Sequence, residues 1–244
     1  MAGGKGGKGG GKAGQERSGL PGGGARKKNK RSSSSARWLR EHVTDGFVRK
    51  ATAEGYRARS AYKLIEIDER DEILPGAGLV VDLGSAPGGW SQVVRRRRPR
   101  AQVVAIDLLP MEPIEGVSFV QADFSENEGL AALKALAGGR LADCVICDIA
   151  PNFSGSNVVD MARCYGLCEL ALDFCLEGLR PGGDFLVKCF QGEGFEEYRA
   201  ALRAAFESVA ARKPSASRDR SNEVYLLARR KKGRPGAPKS GQGV

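Results

Sequence analysis

Four ionisable side chains lie within or at the ends of apolar segments, where a charge is expected to be buried. Asp148 and Lys188 each close a short apolar segment that reads as a strand. Lys63 lies on an apolar helical segment, and Glu223 begins the last apolar segment. An unpaired charge is costly to bury at a strand end, so these residues are expected to be paired or functional. If the fold brings them together, two lysines and two carboxylates share one site.

Such a set suits methyl transfer to a hydroxyl group. A ribose 2′-hydroxyl is a poor nucleophile and must shed its proton as it attacks a sulfonium methyl group in line. Lys188, desolvated beside Lys63, would become less basic and accept that proton, or the ammonium pair would stabilise the developing oxyanion. Asp148 and Glu223 would hold the lysines and oppose the fall in pKa, and the sequence does not rank these effects. An ordinary salt-bridge network at a sheet end is the alternative.

A glycine-rich turn, DLGSAPGGW (82–90), follows the first predicted strand. Its glycines let the backbone approach a ligand closely, and the helix after it offers free N–H groups. Gly84 has no glycine two residues further on, so the turn differs from the dinucleotide-binding fingerprint. It better suits the methionine part of S-adenosylmethionine.

Aspartates close the next two predicted strands. Asp107 is placed to accept hydrogen bonds from both hydroxyls of an adenosine ribose, and Asp123 to accept one from the adenine amino group. Aspartate is also a routine turn residue, so each alone is weak evidence. Carboxylates on successive strands after a glycine turn together predict a cofactor site at the carboxyl edge of an open sheet.

The elements that must position these residues alternate between strands and helices, which is typical of a doubly wound α/β fold. We predict a seven-stranded, mostly parallel sheet with one antiparallel edge strand and helices on both faces. The predicted strands are 79–83, 102–107, 117–123, 143–148, 184–188, 208–213 and 223–228. The predicted helices are 60–71, 90–97, 126–137, 160–178 and 194–207, with another starting near 36–38.

The positive charge of the chain is concentrated at its ends. The net charge is +10, of which residues 1–37 carry +9 and residues 229–244 carry +6, so the body between them is mildly acidic. We predict a disordered Gly/Lys/Ser-rich arm (1–35), a catalytic domain (36–229) whose helical start (36–78) contacts RNA, and a disordered basic tail (230–244). Cationic arms suit a polyanion such as RNA, although they could serve solubility alone.

Six cysteines lie in apolar stretches, and we expect buried, reduced thiols. Cys144 and Cys147 would point to opposite faces of one strand, and no ligand set with zinc spacing is present, so no metal is expected. The sequence has no signal-peptide pattern and no membrane-spanning run. We therefore expect a soluble cytoplasmic protein, which we take to be a monomer.

These motifs resemble a known family. The similar segments are SSSARWLREH, RSAYKL, VVDLGSAPGGWSQVV, DLLPM, DFSE, DIAPNFSG, LVKCFQGEGFEEY and SRDRSNEVYLLA. They resemble those of the FtsJ-type ribosomal RNA methyltransferases, specifically the bacterial RlmE group, over about residues 32–229. The resemblance implies a Rossmann-like class I S-adenosylmethionine-dependent methyltransferase. It implies a catalytic tetrad with Lys188 as proton acceptor: Lys63, Asp148, Lys188 and Glu223. The implied cofactor-binding residues are Gly88, Trp90, Asp107, Asp123 and Asp148.

The implied substrate is the ribose 2′-oxygen of a uridine in the A loop of 23S ribosomal RNA, within the assembled large subunit. RNA contact would then fall to basic residues near Lys63, namely Arg37, Arg40, Arg49, Lys50, Arg57 and Arg59. Trp38 and Phe47 would stack on bases or pin the N-terminal helix to the body. Arg95–Arg98 is expected to be a solvated charged face.

Three other functions stay open at this point. Methyltransferases that act on transfer RNA or on the mRNA cap use the same tetrad, so the tetrad does not select the RNA. A non-catalytic RNA-binding or ribosome-assembly protein could keep the fold, although the intact tetrad and glycine turn disfavour it. A nicotinamide-dependent oxidoreductase is disfavoured because the GxGxxG fingerprint is missing.

Overall fold

The computed structural model describes Gly3 and residues 45–151, 154–218 and 221–233. The helices in these ranges are α1 (Gly46–Ala53), α2 (Ala61–Asp71), α3 (Gly89–Arg97), α4 (Asn127–Leu136), α5 (Asn157–Gly178) and α6 (Phe195–Ala205). The strands are β1 (Ala77–Leu83), β2 (Arg100–Asp107), β3 (Val117–Gln121), β4 (Ala142–Cys147), β5 (Leu179–Phe190), β6 (Phe206–Arg212) and β7 (Glu223–Lys231). The predicted arm, the helix predicted near 36–38 and most of the predicted basic tail lie outside the described residues.

The seven strands form one sheet in the order β3-β2-β1-β4-β5-β7-β6, which confirms the predicted seven-stranded, mostly parallel sheet. Strands β1 to β5 run parallel to one another, whereas β7 pairs antiparallel with both β5 and β6. The antiparallel strand therefore lies one position inside the edge strand β6. The chain leaves β1 towards β2 and β3 and returns to β4 on the other side. The carboxyl ends of β1 and β4 thus flank the switch point where open α/β sheets bind ligands.

Both faces of the sheet are covered by helices because the central strands are apolar on both sides. On one face Val81 and Val145 pack with Leu133 of α4 and Phe174 of α5. On the other face Val80 and Ile146 belong to a second cluster that includes Leu64 of α2 and Val93 of α3. Helix α2, which carries Lys63, is therefore fixed to the sheet by its apolar side.

The six cysteines are buried and free, as expected. Cys144 and Cys147 belong to different core clusters, which confirms that their side chains point to opposite faces of β4. In the described part of the chain, no group of three or more His, Cys, Asp or Glu residues is arranged to hold a metal ion. No helix in the described ranges is long and apolar enough to cross a membrane.

Strand β5 begins five residues before its predicted start at 184. Pro181-Gly182-Gly183 resembles a turn, but the segment stays in the strand because the pairing with β4 shifts between Ala142 and Cys144. Ala142 pairs with Leu179 and Cys144 with Asp184, so the additional residues of β5 are accommodated at this irregularity. At the other end of the fold, β7 continues through Lys231, beyond residue 229, where we placed the domain boundary.

The arginine run at the end of α3 (Arg95–Arg98) does more than form a solvated face: Arg96 is exposed, as predicted, but all four side chains donate hydrogen bonds within the protein. Arg95 donates to the Ala101 and Glu115 carbonyls, and Arg96 donates to the carbonyls at the end of α1, at 2.8 Å from Glu54 O and 2.9 Å from Gly55 O. Arg97 and Arg98 donate to the buried carboxylate of Asp68 on α2. The run therefore fastens α1 and α2 to the sheet. The sequence hid this because backbone carbonyls leave no sequence signature.

Asp68 is the centre of this fastening. Its side chain is 0% exposed and accepts hydrogen bonds from Arg97 Nε at 2.9 Å, Arg98 Nη2 at 3.2 Å and Leu74 N at 3.0 Å. Removing the carboxylate would leave three donors without their acceptor, and such losses are expensive when the site is buried.

We expect Asp68→Ala to lower the free energy of unfolding by about 3 kcal/mol, at the low end for a broken buried ion pair because both arginines keep partial solvent contact. Urea denaturation measures this change. Glu69→Ala is the matched control, since Glu69 also pairs with Arg97 but is 60% exposed, and its cost should stay within about 0.5 kcal/mol. Equal effects of the two substitutions would contradict the role given to Asp68.

Candidate active site

The register of two strands, β4 and β5, brings Asp148 and Lys188 together. β4 and β5 pair Cys147 with Val187, so the residue after each strand position lies at the same carboxyl edge. Lys188 Nζ lies 3.0 Å from Asp148 Oδ1 and donates to the Asp148 main-chain oxygen at 2.6 Å. The lysine is thus held by both the carboxylate and the backbone of one residue.

The second lysine is paired in the same region. Lys63, on α2, donates to Glu223 Oε1 at 2.6 Å, although the two residues are 160 positions apart in the chain. Glu223 begins β7 and also accepts a hydrogen bond from Ser217 Oγ at 2.9 Å. The four predicted tetrad residues therefore form two ion pairs. Lys63, Lys188 and Glu223 line one cavity of about 440 Å³.

Tyr225 joins the two ion pairs and was not among the predicted site residues. Its hydroxyl donates to Asp148 Oδ1 at 2.7 Å, and Lys63 Nζ lies 5.5 Å from the centre of its ring. The side chain is fully buried, and burial followed by the charges of Asp148 and Glu223 raises the pKa of its phenol. Strand alternation could have identified it, because a residue two positions after Glu223 points to the same face.

The charge state of Lys188 follows from a competition that the sequence could not rank. Its side chain is 8% exposed, and burial alone lowers the pKa of its ammonium group. The charges of Asp148 and Glu223, with the hydrogen bond to Asp148, outweigh burial and raise the pKa of Lys188 above its ordinary value. Lys188 is therefore a cation at neutral pH in the protein without ligands.

The glycine turn packs closely against the segment that follows β2. Gly88, with φ at 104°, precedes α3, and a Cβ at this position would lie 2.7 Å from Ile114 Cδ1 and 3.0 Å from Met111 Sδ. Only glycine fits this place without displacing its neighbours. Asp107 Oδ2 accepts a hydrogen bond from Ala86 N at 2.9 Å, so the end of β2 and the turn are directly connected.

The other predicted cofactor-binding residues, Asp123 and Trp90, make different contacts within the protein. Asp123 accepts from the backbone and hydroxyl of Ser125 with one oxygen, and no contact links it directly to the tetrad within the described residues. The Trp90 side chain is buried, donates to Ser60 O at 2.9 Å and lies against the ring of Tyr225. Its indole therefore fixes the start of α2, and its main-chain N–H in the first turn of α3 is what it can offer a ligand.

Two residues that we predicted to contact RNA are committed within the protein. Arg57 donates to the carbonyls of Pro87, Glu112 and Pro113, which ties the glycine turn to the segment after β2. Arg59 pairs with Asp45 and donates to Ala216 O. Tertiary acceptors therefore already hold both guanidinium groups, and RNA contact by Arg57 and Arg59 stays a prediction.

Other members of the predicted RNA-contacting set are placed differently. Arg49 is exposed on α1, and the neighbouring Lys50 lies over the Tyr62 ring. Phe47 packs against the same ring, with centroids 5.6 Å apart, which supports its alternative role of pinning α1 to the body. Arg37, Trp38 and Arg40 lie outside the described residues.

The comparison with known families agrees with this geometry. Residues 56–231 match the FtsJ-like methyltransferase family. This chain belongs to the FtsJ-like methyltransferases. The matched range contains all four tetrad residues, the glycine turn and every described strand of the sheet.

Curated relatives of this FtsJ-like protein are similar over nearly their whole length. A protein from Neisseria gonorrhoeae named ribosomal RNA large subunit methyltransferase E is 54% identical over 203 residues, 83% of this chain and 98% of the relative. Proteins of the same name from Azoarcus and Thiobacillus denitrificans are 56% and 53% identical, over 81% and 83% of this chain and 97% and 93% of the relatives.

A solved structure also shares the fold. A Plasmodium falciparum crystal structure described as that of a ribosomal RNA methyltransferase superposes with a TM-score of 0.66 at 28% identity, covering 73% of this chain and all of the other. The predicted FtsJ-type family and its Rossmann-like fold are therefore confirmed.

A fifth carboxylate lies beneath the glycine turn. Asp82 of β1 is fully buried, accepts a hydrogen bond from Ser91 Oγ at 2.7 Å, and its Oδ1 has no partner among the described residues. Burial raises the pKa of Asp82 to about 7; Ser91 opposes this shift, whereas Asp148 and Asp107 add to it. The folded protein therefore holds this side chain close to its protonation point at neutral pH.

The sign of the resulting pH dependence is opposite to that of an ordinary ion-paired aspartate. Between about pH 4 and 7 the folded protein keeps a proton on Asp82 that the unfolded chain has released. The contribution of Asp82 to stability therefore falls as the pH rises through this window and is constant above it.

We expect Asp82→Asn to become more favourable relative to the wild type as the pH rises from about 4 to 8, because the amide cannot ionise. Urea denaturation of both proteins across this range measures the difference. Asp173→Asn, an exposed change on α5, should give a difference that does not vary in this way. A pH-independent offset for Asp82→Asn would contradict the raised pKa.

Proposed function

We propose that this protein transfers the methyl group of S-adenosylmethionine to the ribose 2′-hydroxyl of a uridine in the A loop of 23S ribosomal RNA. The observation that carries the proposal is the pair of ion pairs Lys188–Asp148 and Lys63–Glu223 at one cavity. The name of the relatives, ribosomal RNA large subunit methyltransferase E, supports ribosomal RNA over transfer RNA or a cap. The assembled large subunit is the proposed form of the substrate.

The residues around the glycine turn fit the proposed cofactor. Gly88 would allow the cofactor to approach the backbone closely, and the first N–H groups of α3 would donate to the carboxylate of the methionine part of the cofactor. The carboxylate of Asp107 would accept hydrogen bonds from ribose hydroxyls, and Asp123 and Asp148 would provide further acceptors. When bound, S-adenosylmethionine supplies an electrophilic methyl group on a sulfonium, so the protein has only to orient and deprotonate the nucleophile.

Lys188 is the proposed proton acceptor for the 2′-hydroxyl. In the free protein it is an ammonium group, since the carboxylates raise its pKa. It must release a proton before it accepts one, and a second cation held nearby favours the neutral amine. Asp148 fixes the position of Nζ through two contacts, and Tyr225 in turn fixes Asp148. Lys63, held by Glu223, orients the hydroxyl or stabilises the charge that develops on its oxygen.

The surroundings of the reaction are also part of the proposal. We place the protein in the cytoplasm, because its proposed substrate is the bacterial large ribosomal subunit. We further propose that it acts as a monomer. The cationic arm at 1–35 and the tail at 230–244 would add phosphate contacts that do not depend on fixed geometry.

We expect Lys188→Ala to bind S-adenosylhomocysteine nearly as well as the wild type and to lose about 10²- to 10⁴-fold in methyl transfer, the usual contribution of a general base. Lys188→Arg should be similarly inactive, because a guanidinium group stays protonated. Calorimetry measures binding, and labelled methyl transfer to large subunits that lack the modification measures the rate.

Lys134→Ala is the matched control, since this lysine is half-exposed on α4 and pairs with Glu177. It should transfer methyl groups at the wild-type rate. Full activity of Lys188→Ala would remove Lys188 from the mechanism. Substantial activity of Lys188→Arg alone would assign Lys188 to oxyanion stabilisation instead of proton transfer.

A further inference from the structure

The cavity beside the tetrad is also lined by residues that do not belong to the tetrad. Its volume of about 440 Å³ lies in the range of ligand pockets. Besides the tetrad side chains, its lining comprises Arg59, Ala150, Phe190, Arg218 and Ser221. Four of the lining residues are cationic and one is anionic, so the cavity suits a negatively charged ligand.

The cations of this lining differ in whether their charge is already matched. Lys63 is paired with Glu223 and Lys188 with Asp148. Arg59 is paired with Asp45. For Arg218, no carboxylate of the described residues lies within ion-pair distance. Among the described residues, Arg218 is therefore the lining cation that has no carboxylate partner.

The charges of two guanidinium groups in this lining, those of Arg59 and Arg218, repel each other. Burial lowers the pKa of Arg59, and the positive charge of Arg218 lowers it further. Like charges held close together in a partly desolvated site destabilise one another until an anion enters between them or beside them.

The backbone that carries Arg218 is anchored beside Glu223. Lys213 Nζ donates to the carbonyls of Ser221 and Glu223, each at 2.6 Å, and Ser221 N donates to Arg218 O at 2.9 Å. Ser217, next to Arg218, is buried and bonded to Glu223. An anchored segment loses less conformational entropy when its side chain binds a ligand.

We infer that Arg218 binds a backbone phosphate of the RNA next to the target ribose and so sets that ribose at Lys188. This inference rests on the proposed function and adds a substrate-positioning residue to it. A guanidinium group matches the geometry of a phosphate and contacts it with two parallel hydrogen bonds. The tetrad supplies no such contact, because its lysines are already paired with carboxylates.

The test measures binding of A-loop RNA to the full chain, without cofactor, across about 50 to 200 mM salt. Affinity falls as salt rises, and the loss of one phosphate contact makes the plot of log affinity against log salt less steep by about 0.7 to 0.9. Arg218→Ala should show this less steep salt dependence and bind about tenfold more weakly at low salt. Arg218→Lys should keep the slope, because it keeps the charge. Arg203→Ala, which removes an exposed arginine of α6, should change neither quantity.

Steady-state methyl transfer provides the second measurement. Arg218→Ala should raise the KM for RNA by a similar factor while kcat and the affinity for S-adenosylhomocysteine stay close to wild type. An unchanged slope and KM for Arg218→Ala, or an equal loss of slope for Arg203→Ala, would overturn the inference. A wild-type protein that binds RNA with the expected Arg218 dependence but transfers no methyl group would refute the proposed function and leave the phosphate contact standing.

Discussion

Two lysines buried at one edge of a sheet are the constraint on which this structure depends. An ammonium group withdrawn from water is costly unless a carboxylate meets it at hydrogen-bond distance. Asp148 meets Lys188 because β4 and β5 are adjacent and parallel, and Glu223 meets Lys63 because β7 starts beside the end of β5. The antiparallel direction of β7 is essential here, because it places the first residue of β7 at the edge of the sheet where the parallel strands end.

The helical part of the molecule completes the second pair only if α2 stays in place. The apolar side of α2 packs on the sheet, and the arginines of α3 bind Asp68 on α2 and the carbonyls at the end of α1. Trp90 at the start of α3 holds the backbone of Ser60 just before α2. Residues next to the glycine turn thus also position Lys63, so the glycine turn and the Lys63–Glu223 pair share one scaffold.

Much of this could be predicted from the sequence, and the failures have a common physical reason. Strand ends are marked by composition, so Asp107, Asp148 and Lys188 could be assigned to one edge of the sheet. The partners of the charges could not be derived, because Lys63 and Glu223 are 160 positions apart. The internal roles of Arg57, Arg59 and the α3 arginines could not be predicted, since their acceptors are mostly backbone carbonyls, which every residue possesses. Tyr225 was missed although alternation along β7 placed it on the face of Glu223.

The central claim is that this arrangement serves a ribose 2′-oxygen and not a base, and alkaline hydrolysis of the methylated product tests it most directly. Ribosomal RNA that has received a labelled methyl group from S-adenosylmethionine is hydrolysed with alkali, and the products are separated by size. A 2′-O-methylated nucleotide cannot attack its neighbouring phosphodiester, so the account predicts label in dinucleotides. Label recovered in mononucleotides would show a methylated base and contradict it.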